Sequence, residues 1–329
     1  MENKRDVTFD VMKGIGILLM LVGHWPGLPQ WAHQFIYSFH MPLFFLVAGY
    51  FSKPVVGWAK SLRKNAQRLL LPFVFTQLLL IGWMALQAYA KHDVGYVMKP
   101  VLSLAWGSCD VIESSWGSVY VGPMWFLIAL FWGKTVFEWL LGKTQSAWLL
   151  VICFLLSLAA IVSRSFVSSP WCLFQGLSSL MFLALGWWIR NKKMPKCMIG
   201  VAVLCWPLAM VFSNMEVADL HYCILPLDVV GACGGTLCIW WLSRQIAMVK
   251  WLAAPLAWCG VYSLVILCFH NFEWFSAIPY SIIAHMPITL EGNGLVLFRY
   301  LFAFALAFLA VKLPYVCNVY GVKQVSSKR

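Results

Sequence analysis

The 329-residue chain is 62% hydrophobic and 11% charged, and it carries a formal net charge of +12. A soluble domain of this length could not bury so much apolar surface, because surface area grows too fast relative to volume. The basic residues fall in short clusters between apolar runs, which is the distribution of cytoplasmic membrane loops. The composition therefore excludes a soluble globular protein and argues against nucleic acid as a partner.

Apolar runs of about 18 residues or more recur along the chain, and such runs are long enough to cross a membrane as helices. They predict an all-α fold, a polytopic transmembrane bundle of about ten helices. No polar linker separates them, so residues 1–329 are predicted to form a single membrane domain. The predicted spans are 9–26, 33–52, 69–89, 123–141, 147–163, 171–189, 197–213, 224–242, 255–272 and 293–314.

The basic residues orient these spans, because an excess of Lys and Arg marks cytoplasmic loops. If the N-terminus is cytosolic, the Lys- and Arg-bearing connections all face the cytosol, and both termini are predicted to be cytosolic. These connections are 53–68, 142–146, 190–196, 243–254 and 315–329. Their basic residues include Lys193, Lys323, Lys328 and Arg329.

Two features common in secreted proteins are not predicted. Residues 1–10 are too polar for a cleavable signal sequence, so the first apolar run is expected to remain as the first span. The 11 cysteines show neither a CxxC pair nor metal-ligand spacing, and most lie inside apolar runs, where Cys behaves as a small hydrophobic residue. We therefore expect neither a disulfide nor a metal site.

The first span carries ionisable residues, which are costly in lipid and are therefore functional candidates. Lys13 and His24 are 11 positions apart, close to three helical turns, so they share a helix face about 16 Å apart along the axis. Asp10 lies one turn before Lys13 and could neutralise it. The alternative is that Lys13 extends to the interface while His24 only ends the helix.

Pro42 lies in the second predicted span and is expected to bend or break it, freeing backbone carbonyls beside His40. A break of this kind makes room for a cavity, but it also serves simple packing, and the sequence leaves both open. His40 and the later His270 are candidate partners for His24, or histidines satisfied within the core.

A basic cluster containing Arg63, Lys64 and Arg68 precedes the third predicted span. As a topology signal it needs no further role. Arg68, however, lies at the mouth of the span, where a guanidinium could bind phosphates in a bidentate manner. The cluster is therefore a candidate binding site for a polyanionic cytosolic cofactor.

The remaining polar residues give weaker signals. Glu273 and Arg299 lie near the outer ends of neighbouring late spans and are predicted to form a structural ion pair. Glu138 and Asp228 lie inside predicted spans, and the sequence assigns them no role. The connection 90–122 mixes aromatic residues with Ser and Gly, which is typical of an interface belt or a partly re-entrant segment.

Taken in order, these segments resemble the membrane acyltransferase 3 family. The resemblance covers most of the chain and is strongest over residues 5–75. Its residues are Asp10-x-x-Lys13-Gly14-Ile15 ending at His24, Phe39-His-Met-Pro42-Leu-Phe-Phe45 with Gly49-Tyr50-Phe51, Arg68-Leu-Leu-Leu-Pro72-Phe73, Gly122-Pro-Met-Trp125-Phe-Leu127, and Tyr262-Ser263-Leu264 six residues before His270.

The resemblance implies an integral enzyme of the bacterial inner (cytoplasmic) membrane, surrounded by membrane lipid. Such an enzyme O-acylates a cell-surface or lipid-linked carbohydrate, with an acyl-CoA, commonly acetyl-CoA, as donor. The family pattern places a basic residue, ten intervening residues and a His in the first span, and Lys13 and His24 match it. Lys13 stands where many members have Arg, which keeps the charge but loses the planar fork.

His24 is accordingly predicted to activate the acceptor hydroxyl as a general base, or to carry the acyl group covalently. The further predicted site residues are His40 and His270 for catalysis, and Lys13, Arg63 and Arg68 for the donor's phosphates.

Two other functions fit the same pattern less well. A transporter or flippase for a lipid-linked sugar would show a similar number of spans, buried charge and broken helices. It would also show paired repeat halves, and these are not visible in the sequence. A non-catalytic membrane subunit for glycan assembly would not need Lys13 and His24 on one helix face.

Overall fold

The computed structural model describes residues 6–192, 194–285 and 291–322. Apart from one two-stranded hairpin, the regular structure of these residues is helical, which confirms the all-α prediction. Lys193, Lys323, Lys328 and Arg329, which were predicted to lie in cytosolic connections, are outside the described residues.

In chain order the helices and strands have the following bounds. They are α1 Val7–Gly23, α2 Gln30–Tyr37, α3 His40–Tyr50, α4 Trp58–Asn65, α5 Leu71–Lys91, α6 Gly95–Trp106, β1 Ile112–Ser114, β2 Gly117–Val119, α7 Trp125–Lys143, α8 Ala147–Arg164, α9 Leu173–Ser178, α10 Leu180–Asn191, α11 Lys196–Phe212, α12 Leu225–Ala247, α13 Lys250–Val261, α14 Ser263–Ser276, α15 Ile278–Ala284, α16 Gly292–Ala310 and α17 Pro314–Val319.

Within the described residues, five helices are long and apolar enough to cross a membrane, and the number rises to seven if each of two bent helix pairs is one span. All of them coincide with predicted spans and indicate a multi-pass membrane protein. The five are Trp58–Lys91, Gly122–Lys143, Ala147–Arg164, Leu225–Ala247 and Gly292–Ala310, the first of which joins α4 to α5 through the π-helical turn Ala66–Leu70. The bent pairs are Pro170–Ser178 with Leu180–Asn191 and Lys250–Val261 with Ser263–Ser276.

The other three predicted spans form shorter helices. The segments 9–26 and 197–213 become α1 and α11, each of 17 residues. Such a helix rises about 26 Å, slightly less than the ~30 Å hydrocarbon core. The segment 33–52 is divided between α2 and α3. The count of ten spans and the cytosolic position of both termini stay predictions.

The chain divides into two compact units, each assembled from segments that are distant in sequence. The first unit contains the described residues of Met1–Lys64, Ala129–Ser168 and Leu173–Ser263. The second contains those of Asn65–Ile128, Ser169–Cys172 and Leu264–Arg329. That residues 1–329 act as one domain stays a prediction.

Glycines allow the helices of the first unit to approach closely. A Cβ atom on Gly14 of α1 would collide with the carbonyl oxygen of Leu256 in α13, and one on Gly260 of α13 would collide with the carbonyl oxygen of Asp10. Small residues at both ends of a contact let two backbones meet, which is how membrane helices gain packing energy. This reciprocal contact fixes α1, which carries Lys13 and leads to His24.

Two apolar clusters form the interior of the first unit. One joins α7, α8 and α10, and the other joins α1 and α3 to α12. Their buried members are Phe137, Leu141, Leu149, Cys153, Leu180, Leu183 and Ala184 in the first cluster, and Met12, Phe39, Leu43, Val47 and Ile239 in the second.

In the second unit, the polar connection 90–122 forms α6 and the hairpin. The strands β1 and β2 pair antiparallel, with Ile112 opposite Val119. Helix α6 packs against α5 and β2. It ends at Gly107, whose positive φ of 62° suits a residue without a Cβ atom. The helix that precedes the hairpin in the chain, α6, is thus held against α5.

Candidate functional site

The first turns of α1 hold a buried carboxylate and a lysine. The Oδ1 atom of Asp6 accepts a hydrogen bond from the backbone N–H of Thr8 at 2.9 Å and so caps the helix. The Nζ atom of Lys13 lies 3.0 Å from Oδ1 of Asp10, whose side chain is only 8% exposed. The predicted pairing of Asp10 with Lys13 is confirmed, so the charge of Lys13 is balanced by a carboxylate of its own helix.

His24 lies at the opposite end of the same helix. Its backbone N–H donates to the carbonyl oxygens of Met20 and Leu21, at 3.2 Å each, and the helix ends there. The residue is partly buried. Because α1 is continuous from Lys13 to its C-cap at His24, the structure retains the spacing of about three turns that the sequence predicts.

His40 begins α3 and is almost completely buried. Its Nδ1 atom lies 2.9 Å from the carbonyl oxygen of Ile36. A carbonyl oxygen only accepts, so Nδ1 carries the proton and donates it, and the Nε2 atom of the neutral ring is then the acceptor. The predicted break near Pro42 occurs between α2 and α3, and the carbonyl of Ile36 at this break accepts both from His40 and from the backbone N–H of Phe39, the latter at 3.3 Å.

Tyr37 lies between His40 and the end of α1. Its ring centroid is 4.8 Å from that of His40, and its Cε2 atom would be 3.1 Å from a Cβ atom on Gly23, the residue before His24. The same ring stacks on His33 at 3.8 Å. One end of the first unit therefore brings two histidines and a tyrosine close to the residue that precedes His24.

An acidic loop, residues 213–224, contributes to this end of the first unit. The Oε1 atom of Glu216 lies 3.7 Å from Nε2 of His33. Partial burial, followed by a hydrogen bond with Asp219 and the negative charge of that residue, together raise the pKa of Glu216 to about 7. A carboxyl group that titrates near neutrality is thus present beside the histidines.

A second polar cluster of the first unit was not assigned from the sequence. Glu138 is 1% exposed, and its two carboxylate oxygens lie 2.9 Å from Nζ of Lys64 and 3.0 Å from Nζ of Lys134. The Lys134 ammonium also donates to Oγ of Ser52 at 3.1 Å. This cluster ties α4 to α7. The spacing of four residues between Lys134 and Glu138 was a visible signal, since such pairs meet on a helix.

The predicted phosphate-binding residues are distributed over both units. Arg63 lies in α4, beside Lys64, and is exposed. Arg68 is also exposed and lies in the second unit, in a π-helical turn, Ala66–Leu70, that precedes α5. Short π-helical turns are frequent at functional sites. Both guanidinium groups are accessible to an anion, whereas Lys13 already has a carboxylate neighbour.

His270 lies in the second unit, so the structure does not place the three predicted histidines in one unit. It is fully buried in α14, with Nδ1 3.2 Å from Oε1 of Glu273. The Glu273 carboxylate accepts hydrogen bonds from Nε and Nη2 of Arg299, at 2.9 and 3.3 Å. The predicted pairing of Glu273 with Arg299 is confirmed. His270 thus lies against the ion pair of Glu273 and Arg299.

Asp228, the other acid inside a predicted span, lies in the first turn of α12. Its Oδ2 atom accepts a hydrogen bond from the backbone N–H of Ile224 at 3.1 Å, just before the helix. A carboxylate in the first turn also interacts favourably with the helix dipole. In the described part of the chain, no three His, Cys, Asp or Glu side chains form a group that could hold a metal ion.

The apolar helices define a multi-pass membrane protein, in which Lys13 lies in the second turn of α1 and His24 is the C-cap of the same helix. A family profile described as an acyltransferase domain matches residues 6–316, nearly the whole chain. The chain belongs to the acyltransferase 3 family, as the sequence motifs predict.

Two curated proteins are similar to part of the chain. Nodulation protein NolL of Sinorhizobium fredii (strain NBRC 101917 / NGR234) is 30% identical over 173 residues, which cover 49% of this chain and 42% of that protein. Nodulation protein NolL of Mesorhizobium japonicum (strain LMG 29417 / CECT 9101 / MAFF 303099) is 31% identical over 142 residues, which cover 39% of this chain and 34% of that protein. Each match thus spans less than half of the relative. No solved structure matches the chain.

Proposed function

We propose that this chain is a membrane O-acyltransferase. It moves an acyl group, acetyl in the first instance, from cytosolic acyl-CoA to a hydroxyl group of a cell-surface or lipid-linked carbohydrate, in the inner membrane of a bacterium. The observation that carries the proposal is the occurrence of Lys13 and His24 on one continuous helix in a chain that belongs to the acyltransferase 3 family.

The chemistry is the attack of an alcohol on a thioester. A sugar hydroxyl is a weak nucleophile at neutral pH and needs a base in hydrogen-bonding reach. In our proposal the imidazole of His24 takes the hydroxyl proton as the oxygen bonds to the thioester carbonyl carbon. The carbon–sulfur bond then breaks, and His24 returns the proton to the departing thiolate. The products are a carbohydrate ester and free CoA.

A covalent route would use the same residue. The imidazole of His24 would first attack the thioester, forming an acyl-imidazole and releasing CoA, and the sugar hydroxyl would then take the acyl group. The two routes differ in one observable property. Only the covalent route leaves the acyl group on the protein when no acceptor is present.

The donor's phosphates need cations near the cytosolic face. Arg63 and Arg68 suit this role, because each is exposed and a planar guanidinium matches the geometry of a phosphate. Lys13 suits it less well, since its ammonium lies 3.0 Å from a carboxylate oxygen of Asp10. In the first unit we therefore assign the main phosphate contact to Arg63 and a supporting contact to Lys13, and in the second unit Arg68 is the candidate.

His40 is proposed as a positioning residue for this reaction. Its Nδ1 atom is held by the carbonyl oxygen of Ile36, and its ring contacts Tyr37, which lies against the end of α1. The ring can therefore fix Tyr37 beside the residue that precedes His24. For His270 the contact with Glu273 favours a structural role, and we place it outside the reacting groups.

The test uses membrane vesicles that contain the full chain, acetyl-CoA labelled in the acetyl group, and a glycan extract of the host. The label is followed into base-labile ester for the native protein, for His24→Ala and for a control, His285→Ala, which removes an exposed histidine. The thermal midpoint of each purified variant shows whether it is folded.

The proposal requires ester label with the native protein and with His285→Ala, and its loss with folded His24→Ala. Label retained by folded His24→Ala would remove this residue from the mechanism. An absence of ester label with every acyl donor and acceptor tried would overturn the acyltransferase and favour a transporter of lipid-linked sugar. Label that stays on the protein without acceptor would establish the covalent route.

A further inference from the structure

The second unit contains a cavity of about 350 Å³ that none of the site residues described so far lines. It is bounded by α5, α6, the segment that includes the hairpin, and α14. Its volume lies within the roughly 300–1,000 Å³ range of small-molecule sites. All of its lining residues belong to the second unit.

Aromatic side chains form much of the wall. Tyr96, Trp116, Tyr120 and Phe275 all line the cavity. The rings of Tyr120 and Phe275 meet edge to face, 5.5 Å apart. Trp116 is 45% exposed, so a large ring is available at the cavity's edge. Aromatic faces of this kind offer flat apolar surfaces beside polar groups.

One polar atom in the wall, the side-chain oxygen of Gln77, is buried without a hydrogen-bond partner among the residues that the structure describes. Gln77 is 1% exposed, and its Nε2 atom donates a long hydrogen bond, 3.9 Å, to Sδ of Met124. Its Oε1 atom is buried and accepts no hydrogen bond from any residue that the structure describes. Buried polar atoms are nearly always paired, so an unmade bond in a cavity wall points to a ligand that completes it.

A second buried amide lies next to the cavity wall. Asn271 is fully buried, and neither Nδ2 nor Oδ1 has a hydrogen-bond partner among the described residues. It precedes Phe275 by one helical turn. A Cβ atom added to Gly122 would contact the side chains of both residues, so Asn271 and Phe275 lie next to each other there. A ligand or an ordered water molecule that extends past Phe275 could therefore form hydrogen bonds with the side-chain amides of both Gln77 and Asn271.

Charged groups of both signs also line the cavity. Asp93 accepts a hydrogen bond from the backbone N–H of Gly95 at 2.8 Å through Oδ1. Lys99, one turn into α6, lines the cavity as well. An acyl chain or a lipid tail gains nothing from a carboxylate, an ammonium group and an amide, and would leave them desolvated. The occupant must therefore be rich in hydrogen-bonding groups and still have an apolar face.

We infer that this cavity is a saccharide-binding site, and that it holds one sugar unit of the acceptor. A pyranose ring presents C–H groups on its faces, which match the aromatic walls, and hydroxyl groups around its edge, which both donate and accept. Those hydroxyls can pair with Gln77, Asp93 and Lys99. The identification of the bound sugar as the acceptor rests on the proposed function, whereas the binding itself does not.

The first experiment measures binding without catalysis. The full chain in nanodiscs of deuterated lipid is mixed with the methyl glycosides of glucose, galactose and N-acetylglucosamine, and saturation-transfer NMR detects those that bind. The variants are Trp116→Ala, at an exposed position, and Gln77→Leu, which replaces the amide by an apolar side chain of similar size. The matched control is Trp148→Ala, which removes a tryptophan that is 70% exposed in the first unit.

Each cavity variant should weaken binding roughly tenfold, the effect of losing one stacking or hydrogen-bonding contact, while Trp148→Ala binds as the native protein does. Gln77→Leu should keep or raise the thermal midpoint, because it removes a buried unpaired group. A variant that loses sugar binding while gaining stability cannot be explained by misfolding.

The second experiment measures acyl transfer. Both cavity variants should raise the KM for the acceptor about tenfold and leave the KM for acyl-CoA unchanged. Native acceptor KM and native sugar binding in both variants would overturn the site while the acyltransferase stands. Sugar binding that depends on Trp116 and Gln77, in a protein that transfers no acyl group, would support the site and overturn only the proposed function. A native protein that binds none of the glycosides would also overturn the site.

Discussion

The Nζ atom of Lys64 lies 2.9 Å from Oε2 of Glu138, although 74 residues separate them in the chain. The Glu138 carboxylate is 1% exposed, and a second lysine, Lys134, lies 3.0 Å from its other oxygen. A buried charge is tolerated only when it is paired, because its desolvation is costly. The contact therefore fixes where α4 lies against α7, and with it the backbone next to Arg63.

The first prediction concerns this buried carboxylate. Glu138→Ala should lower the free energy of unfolding by about 3–5 kcal/mol, because two ammonium groups then lose their shared counter-charge. The measurement is the thermal and urea unfolding of purified protein. Glu113→Ala is the matched control, since Glu113 is exposed in β1 and its loss should change the free energy by less than about 0.5 kcal/mol.

A triple variant separates charge from packing in the same cluster. Combining Glu138→Leu with Lys64→Met and Lys134→Met removes every charge of the cluster, and it should recover much of the lost stability. If the triple variant is no more stable than Glu138→Ala, the cluster does not act through its charges.

The second prediction concerns the contact of α1 with α13. Gly260→Ala should destabilise the protein by about 1–3 kcal/mol, because the added methyl group collides with the carbonyl oxygen of Asp10. Gly200→Ala in α11 is the control, since a Cβ atom there meets nothing within 4 Å and alanine favours a helix by about 0.5–1 kcal/mol. Similar unfolding midpoints for the two variants would show that α1 and α13 do not pack closely.

The third prediction concerns Lys13. Lys13→Met should raise the KM for acyl-CoA about tenfold, because one cation near the phosphates is lost. Lys13→Arg should stay near the native value, since it keeps the charge beside Asp10. Lys91→Met, at an exposed position in α5, is the control for a general loss of positive charge. A Lys13→Met protein with a lower thermal midpoint but a native KM would assign Lys13 to stability alone.

The fourth prediction concerns pH and the loop 213–224. The pKa of Glu216 rises from its usual 4.5 to about 7, mainly through burial. Between these two values the folded state holds a proton that the unfolded state has lost, so the loop's stability should fall as pH rises from 4.5 to 7 and stay constant above. Below about pH 7 the contact with His33 is then made by a protonated carboxyl group.

Hydrogen exchange of the amides in 213–224 at pH 5.5 and pH 8, corrected for intrinsic rates, measures this effect. Protection should be greater at pH 5.5 in the native protein, and Glu216→Gln should remove the difference. Equal protection at both pH values in the native protein would contradict the raised pKa.

Local sequence spacing predicted the contacts that lie within one helix. Asp10 and Lys13 are three residues apart, and their pairing follows from the helical repeat. The break in the second span was also predictable, although it occurs before Pro42. Pro42 is the third residue of α3, where its missing N–H costs nothing, so the chain breaks at Ser38 and Phe39 instead.

Contacts between distant segments were mostly not predictable. The pairing of Glu273 with Arg299 was expected, because both residues lie near the outer ends of neighbouring spans. The pairing of Lys64 with Glu138 was not predictable, because a basic residue in a cytoplasmic loop is already explained by its effect on membrane topology. The cavity around Gln77 was not predictable either, because a single glutamine in an apolar span forms no periodic pattern in the sequence.

The sequence by itself determined the environment, the family and the axial spacing of Lys13 and His24. Apolar run length, charge distribution and helical periodicity are properties of adjacent residues, so they can be read without a fold. Only the tertiary structure decided which charges are paired, that His24 and His40 lie in a different unit from His270, and that a cavity with an unsatisfied amide exists. These depend on contacts between segments up to hundreds of residues apart, and the packing that makes them leaves no local trace in the chain.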